Sequence, residues 1–144
     1  MNYTILTFGN KTLRKESKRV ANVDDDIRTL CDDMIRIMYE NSGIGLAAPQ
    51  IGILKRIVVV DDNSIGRAFI NPEIRDASSQ MCVMNEGCLS VPDKFLNIRR
   101  AESILLRYRN LDGKLCYDRF DGLLARILQH EIDHLDGMFF TDYQ

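Results

Sequence analysis

The most restrictive feature of this sequence is the pattern His-Glu-x-x-His near its carboxyl end, within the segment QHEIDHLDG. The pattern holds both histidines of the chain, His130 and His134, and places Glu131 beside the first. On a helix, residues four positions apart lie on the same face, so the two imidazoles can bind one metal ion together. The fold must therefore contain a helix that turns this face towards a protected site.

The surrounding residues predict such a helix over about 121–136, with Asp121 as a possible N-cap and Gly137 as a stop signal. On a helical wheel, both histidines and Glu131 fall on the same side as the apolar stripe. Polar groups on a buried face need partners, and a metal ion would satisfy both imidazoles. We therefore favour a metal site over two hydrogen-bonded core histidines. The apolar stripe consists of Leu123, Leu124, Ile127 and Leu135.

A catalytic metal site usually has three protein ligands and one open position, so a third ligand is required. In one known class a third histidine follows the second by six residues, but here that position is Phe140. No later helix is expected that could supply a carboxylate. The third ligand must therefore lie upstream, where the cysteines are the main candidates: Cys31, Cys82, Cys88 and Cys116.

The setting of each cysteine favours Cys88 as the third ligand and leaves Cys82 as the alternative. Cys31 lies in the apolar stripe of a predicted helix, and Cys116 lies on a predicted hairpin strand, where a small thiol is an ordinary packing residue. Cys88 follows Gly87 at a polar turn, where the backbone can approach an ion closely. Two neighbours could hydrogen bond to an imidazole or to the thiolate, namely Glu86 and Ser90.

Strands and helices do not alternate along the chain, which predicts an α+β fold. Apolar residues recur at helical spacing over 27–38, and a buried strand is expected over 56–61. The segment RAFINPEI predicts a short strand that stops at Pro72. Alternating residues over 104–109, followed by the Asp-Gly turn in 110–113, predict a hairpin.

Composition limits the class of protein further. With 144 residues, 45% of them apolar, and a net charge of −2, the chain is predicted to form one catalytic domain over 1–144 without specificity for nucleic acid. Its first residues lack the apolar run of a signal peptide, and no stretch approaches the roughly 18 apolar residues of a spanning helix. We therefore expect a cytoplasmic protein with reduced thiols and no membrane contact.

Three motifs resemble the signatures of the peptide deformylase family: GIGLAAPQ at 43–50, EGCLS at 86–90 and QHEIDHLDG at 129–137. They stand in the family's order and at about its spacing, and the similarity also covers LRK, INPEI and DGLLARILQHE. The three motifs together are highly specific, whereas the last alone is shared with many metalloproteases. The resemblance implies a deformylase-like fold, with antiparallel or mixed strands packed around a central carboxyl-terminal helix that binds metal.

The resemblance also implies roles for particular residues. Glu131 would be the general acid and base, while the Gln50 side chain and the Leu89 backbone N–H would meet the oxyanion. The family's physiological metal is commonly Fe²⁺, with Zn²⁺ or Ni²⁺ able to occupy the site, although ligand chemistry alone would suggest zinc. The ligands of this one divalent ion would be Cys88, His130 and His134.

The implied substrate is the N-formyl-methionine end of a new polypeptide, and the products are formate and a free α-amine. As a hypothesis, the metal lowers the pKa of its bound water, and the resulting hydroxide attacks the formyl carbon. Glu131 takes the proton and later passes it to the departing amine. We further expect a monomer that contacts the ribosome transiently.

The expected substrate-binding residues lie in the first two motifs, in the segment before EGCLS, and on the metal helix. Gly43, Gly45 and Gly87 would let the backbone pass close to the substrate. Four apolar residues would line a pocket for the methionine side chain, although a plain core role for them stays open. These four are Ile44, Met84, Leu123 and Ile127.

Two positions depart from the family pattern. Phe95 stands where many bacterial relatives carry an arginine that holds the peptide backbone, and whether Arg99 or Arg100 compensates stays open. Arg126 lies one turn before His130, where relatives often have an apolar residue. We expect its guanidinium to reach solvent along its aliphatic stem rather than to form the rim of the pocket.

Two other functions remain open from the sequence. A small metallopeptidase would need a cleft for chain on both sides of the scissile bond and would cut peptides instead of releasing formate. A non-catalytic metal-binding module would close its site with a fourth protein ligand, whereas an exchangeable water on the metal would exclude it.

Overall fold

Two helices lie on opposite faces of a five-stranded antiparallel sheet in the computed structural model, which describes residues 3–143. No helix within these residues is both long enough and apolar enough to pass through a bilayer. The elements, in chain order, are α1 (Asp25–Glu40), β1 (Gly45–Ala47), β2 (Ile57–Asp62), β3 (Ile65–Ala77), β4 (Met81–Cys88), β5 (Val91–Ala101), β6 (Ser103–Arg109), β7 (Leu115–Asp121) and α2 (Gly122–Leu135).

The strands form two separate sheets, which confirms the α+β class. The larger sheet has the order β1-β2-β3-β6-β7, and every neighbouring pair is antiparallel. The smaller sheet is the antiparallel pair β4-β5. The predicted hairpin is confirmed as β6 and β7, and Gly113 in its turn has a φ of 79°, which glycine adopts without strain.

Strand β3 continues through Pro72, so the prediction that it would stop there is wrong. The register between β3 and β6 shifts between Ile70 and Glu73, which marks a bulge at this point. Because a bulge interrupts the ladder, the missing N–H of Pro72 costs no regular hydrogen bond. Asn71, with a φ of 51°, exchanges two side-chain hydrogen bonds with the backbone of Val20 and holds the bulge in place.

Strand β2 shows why the sheet carries a helix on each face. Val58 and Val60 point into the core beneath α2, whereas Ile57 and Val59 point into the core beneath α1. All four side chains are fully buried. A strand that is covered on both faces has apolar side chains at successive positions, as β2 has in this sequence.

Helix α1 matches its predicted span closely. Asp24 caps its amino end, where the side chain accepts a hydrogen bond of 2.9 Å from the N–H of Ile27. The helix buries the apolar side chains expected from their spacing, including Cys31 and Met34.

Helix α2 follows β7 directly, and its observed bounds lie within one residue of those predicted. Asp121 occupies the N-cap position but makes no side-chain capping bond. At the other end, Gly137 has a φ of 73°, and a Cβ at this position would collide with the carbonyl of Arg14. The N–H of Ser17 also donates to the carbonyl of Leu135 at 2.8 Å, so the end of the helix is tied to the amino-terminal segment.

Candidate metal centre

Three potential metal ligands from two elements meet at one point. Cys88 is the last residue of β4, and His130 and His134 lie on one face of α2. One donor atom from each side chain lies within 4.8 Å of the other two, and Cys88 Sγ is 3.4 Å from His134 Nε2. Among residues 3–143 no other three histidine, cysteine or acidic side chains converge in this way. One thiolate and two imidazoles suit a divalent transition metal and leave a fourth position open.

The remaining cysteines lie away from this cluster. Cys82 is six residues earlier on β4, opposite Arg100, and Cys116 lies on β7 opposite Tyr108. Cys31 is completely buried in α1. The structure thus brings Cys88 to the histidines and leaves the alternative, Cys82, outside the cluster.

Glu86 holds the ring of His130. Its Oε1 lies 2.8 Å from His130 Nδ1, which leaves Nε2 of that ring available to a metal. Burial opposes ionisation of Glu86, but hydrogen bonds from His130 and Arg100 outweigh it and lower the pKa of the carboxyl group to about 2. Burial likewise disfavours a charged His130, but hydrogen bonds with Cys88 and Glu86 raise the pKa of this imidazole to about 10. The expected hydrogen bond, in which Glu86 accepts from an imidazole N–H, is therefore present.

Two arginines enclose the same carboxylate. Arg100 donates to both oxygens of Glu86, at 2.6 and 2.9 Å, and also pairs with Asp133 at 3.0 Å. Arg126 donates to Glu86 as well and is 4% exposed. The prediction that Arg126 reaches solvent is therefore wrong, because the buried Glu86 on the neighbouring β4 supplies a counter-charge. Arg100 is fully engaged, and Arg99 is exposed on β5 outside the lining of the metal-site cavities.

Glu131 lies beside the potential ligands, on the same buried face of α2 as the two histidines. Its Oε1 has no hydrogen-bond partner among the described residues, and burial raises the pKa of this carboxyl group to about 7. Gly45 on β1 packs directly against it, since a Cβ at that position would lie 2.6 Å from Glu131 Oε2. The close approach of β1 to α2 therefore depends on the absence of a side chain at residue 45.

The carboxamide of Gln50 is held in a single orientation towards the ligands. Its Oε1 accepts a hydrogen bond of 2.8 Å from the N–H of Ala47. Its Nε2 donates to Ser90 Oγ at 3.1 Å and lies 3.6 Å from Cys88 Sγ. Ser90, expected to support an imidazole or the thiolate, supports Gln50 instead. Leu89 follows Cys88 directly and lines the adjoining cavity.

A cavity of about 420 Å³ opens onto this cluster. Phe95, with 65% of its surface exposed, forms part of its wall and packs on Gly87. The residues predicted for the site that line this cavity are Gly43, Ile44, Gly45, Gly87, Cys88, Leu89 and Glu131.

A smaller cavity of about 80 Å³ lies next to it, between α2 and the segment around Gly87. Ile44, Leu123 and Ile127 line it together with His130 and Arg126, so Arg126 borders this cavity, as the less favoured interpretation of the sequence had it. Met84 is half-exposed on β4 opposite Ile98 and is not part of the lining of either cavity. Three of the four apolar residues predicted for the methionine pocket therefore share one cavity.

Another cavity, of about 910 Å³, lies elsewhere. It runs between residues 16–19, the bulge of β3 and the carboxyl end of α2, and none of the three potential ligands lines it. Its walls carry acidic and basic side chains in similar numbers, so it offers no clear charge preference. We therefore place the chemistry at the smaller cavities, where the potential ligands converge.

A sequence profile of polypeptide deformylases matches residues 2–144. The chain belongs to the polypeptide deformylase family. Deformylases are hydrolases that remove the formyl group from the amino-terminal methionine of nascent polypeptides, and this chain is an enzyme of that kind. The family predicted from the three motifs is confirmed, and membership argues against both the general peptidase and the non-catalytic module.

Known deformylases resemble the chain along almost its whole length. Peptide deformylase of Picosynechococcus sp. is 48% identical over 140 residues, which cover 94% of this chain and 75% of the relative. A probable deformylase from Synechococcus phage S-SSM7 superposes with a TM-score of 0.97 at 41% identity, covering 99% of this chain and all of the other. The Met-Ala-Ser-bound class I type b deformylase of Acinetobacter baumannii gives 0.94 at 34% identity, covering 100% and 99%. The deformylase-like fold is thereby confirmed.

Proposed function

We propose that this deformylase holds one divalent metal ion with Cys88, His130 and His134, and that Fe²⁺ is its physiological metal, with Zn²⁺ or Ni²⁺ able to replace it. The observation that carries the proposal is the convergence of three donors beside a buried carboxylate that lacks a full set of partners. A bound ion would supply Lewis acidity towards water and towards the formyl oxygen. Cys88 and Glu131 line the cavity of about 420 Å³, through which substrate would enter.

Glu131 is the group that moves the proton. It takes a proton from the attacking water and later delivers it to the amine that leaves when the formyl C–N bond breaks. Support comes from its position in the lining of both cavities and from its Oε1, which has no partner within the described part of the chain. Gly45 restricts the space around the other oxygen and keeps the carboxylate facing the cluster.

Gln50 and the backbone N–H of Leu89 donate hydrogen bonds to the oxyanion that forms on the formyl oxygen. The bond from Ala47 to Gln50 Oε1 directs the amide nitrogen, which is the donor, towards Cys88. Because such donors are already oriented before the reaction, loss of one typically costs about 3–4 kcal/mol in transition-state stabilisation.

The methionine side chain of the substrate occupies the smaller cavity. Ile44, Leu123 and Ile127 give that cavity an apolar wall, and a flexible unbranched thioether suits a narrow space. The glycines at 43, 45 and 87 let the substrate backbone approach, whereas Met84, which lines neither cavity, has no part in the proposed pocket. The peptide Met-Ala-Ser bound by the Acinetobacter baumannii relative begins with the same side chain.

The cellular setting proposed here follows from the substrate. A nascent chain that begins with N-formyl-methionine meets the enzyme at the ribosome, so we propose a cytoplasmic monomer that contacts the ribosome transiently. Residues 1–144 form one catalytic domain in this proposal, since both helices and both sheets contribute residues to one site or its support.

The decisive experiment is purification without oxygen, followed by metal analysis and an assay with formyl-Met-Ala-Ser on the same sample. We expect about one divalent ion per chain and release of formate without cleavage of the peptide. Cleavage between the amino-acid residues would instead identify a peptidase. A metal-loaded protein that neither releases formate from this peptide nor cleaves it would overturn the proposal.

A further inference from the structure

Arg126 connects three elements of the site from a buried position on α2. Its guanidinium donates to the carbonyl of Cys82 on β4 at 2.6 Å and to the carbonyl of Ile98 on β5 at 2.9 Å. It also donates to the carboxylate of Glu86. One side chain of α2 thus binds the backbone of both strands of the small sheet and the acid that holds His130.

These contacts matter because the potential metal ligands come from two different elements, helix α2 and the small sheet β4-β5. His130 and His134 belong to α2, whereas Cys88 ends β4 in the small sheet. No strand pairing joins the small sheet to the five-stranded sheet within residues 3–143. The position of the thiol relative to the two imidazoles therefore depends in part on side-chain contacts between α2 and β4-β5, where Arg126 acts beside the Gln129–Ala101 and Arg100–Asp133 pairs.

Arg126 is suited to this task because its guanidinium is planar and presents several donors in fixed directions. It lies one turn before His130, so its contacts act on the part of α2 that presents the first imidazole. Arg100 approaches Glu86 from β5, and Arg126 approaches it from α2. Held from both sides, the carboxylate keeps one oxygen on His130 Nδ1.

We infer that Arg126 is a positioning residue, which aligns Cys88 with the histidine pair by fixing the small sheet and Glu86 to α2. The inference rests on the metal role proposed for Cys88, His130 and His134. Partners that orient metal ligands typically contribute tenfold to a hundredfold in metal affinity. Loss of Arg126 should therefore weaken metal binding and change the ligand geometry, although Arg126 touches no metal itself.

The test uses Co²⁺ as the probe, because its visible absorption reports coordination geometry without any turnover. Arg126→Met keeps an unbranched stem and removes every donor, and Arg126→Lys keeps the charge but loses the planar fork. The matched control is Arg67→Met, because Arg67 pairs with Asp62 and lies over the rings of Phe69 and Phe120, outside the site. Each protein is titrated with Co²⁺ against a competing chelator, and its thermal unfolding is followed.

We expect Arg126→Met to bind Co²⁺ tenfold to a hundredfold more weakly, with an altered visible spectrum, and Arg126→Lys to fall between it and the wild type. Arg67→Met should keep wild-type affinity and spectrum even where its thermal stability falls. If Arg126→Met does not fold, Arg126→Lys serves as the test. Wild-type affinity for Co²⁺ with an unchanged visible spectrum in Arg126→Lys would then overturn the inference. A wild-type protein that binds no Co²⁺ would instead contradict the proposed metal site.

Discussion

Gly45→Ala tests how closely the carboxylate of Glu131 must be held. The added methyl group would lie 2.6 Å from Glu131 Oε2 and 2.8 Å from Ile127 Cγ2. Carbon atoms in packed interiors are ordinarily about 3.5–4.0 Å apart. Either β1 or the side chains of Glu131 and Ile127 on α2 must therefore shift by about 1 Å. Overpacking of this kind costs about 1–3 kcal/mol, and the stiffer unfolded chain returns about 0.4–1 kcal/mol.

We therefore expect a net loss of about 1–2 kcal/mol in the free energy of unfolding and a much larger effect on catalysis. A displacement of about 1 Å in a reacting group can cost about a hundredfold in rate. The assay measures formate release from formyl-Met-Ala-Ser, and the loss should appear mainly in kcat. Denaturant unfolding of the same samples gives the change in stability.

Gly66→Ala is the matched control, because its methyl group would collide with Ile35 between β3 and α1. It should lose a similar amount of stability and keep wild-type kcat, since neither residue lines the cavities at the metal site. Wild-type kcat in folded Gly45→Ala would refute the reasoning. An equal loss of activity in Gly66→Ala would show that general overpacking, not the position of Glu131, lowers the rate.

Three further predictions concern the side chains of Glu131, of Cys88 with its control Cys82, and of Cys31. Glu131→Gln should keep the metal, as measured by metal analysis, and lower turnover about 10²–10⁴-fold; loss of metal would make Glu131 a ligand. Cys88→Ser should lose metal and Cys82→Ser should keep it, because a hydroxyl poorly replaces a thiolate, and the reverse stoichiometry would contradict the ligand assignment. Burial raises the pKa of the Cys31 thiol from 9.0 to about 12. Because the folded protein favours the neutral thiol, this group contributes its full stabilisation below pH 9. The contribution is lost as the pH rises towards 12. At pH 8 the folded protein should hold about a thousandfold less Cys31 thiolate than the unfolded chain, and rapid labelling of Cys31 by a thiol reagent would disprove this.

The sequence predicted helix α2 well because the signals for this helix are local. The apolar stripe, the histidine spacing and Gly137 all lie within one segment, and α2 begins and ends within one residue of the expected bounds. Cys88 could be preferred over Cys82 for the same reason, since Gly87 and the polar turn are its immediate neighbours. The three motifs then gave the family, which no single pattern could decide.

The errors concern contacts between distant parts of the chain. Arg126 looked like a solvent-exposed residue because its counter-charge, Glu86, lies 40 positions away and meets it only when α2 packs on β4. Pro72 looked like a strand end because the bulge that accommodates it depends on the register with β6. Neither the contact of Arg126 with Glu86 nor the register of β3 with β6 can be identified from residues that are close in sequence. The pairing of Gln50 with Ser90 was missed for the same reason.

The place of α2 in the chain has a consequence for biosynthesis. Because synthesis proceeds from the amino end, all seven strands of residues 3–143 are made before the helix that carries His130 and His134. Until then, Ala47, Val58 and Val60 have no α2 to pack against, although they share one core with it in the folded protein. An enzyme that processes new polypeptides thus completes its own site only after both of its sheets have been made. A ribosome stalled before α2 would display an unfinished, apolar sheet face to chaperones.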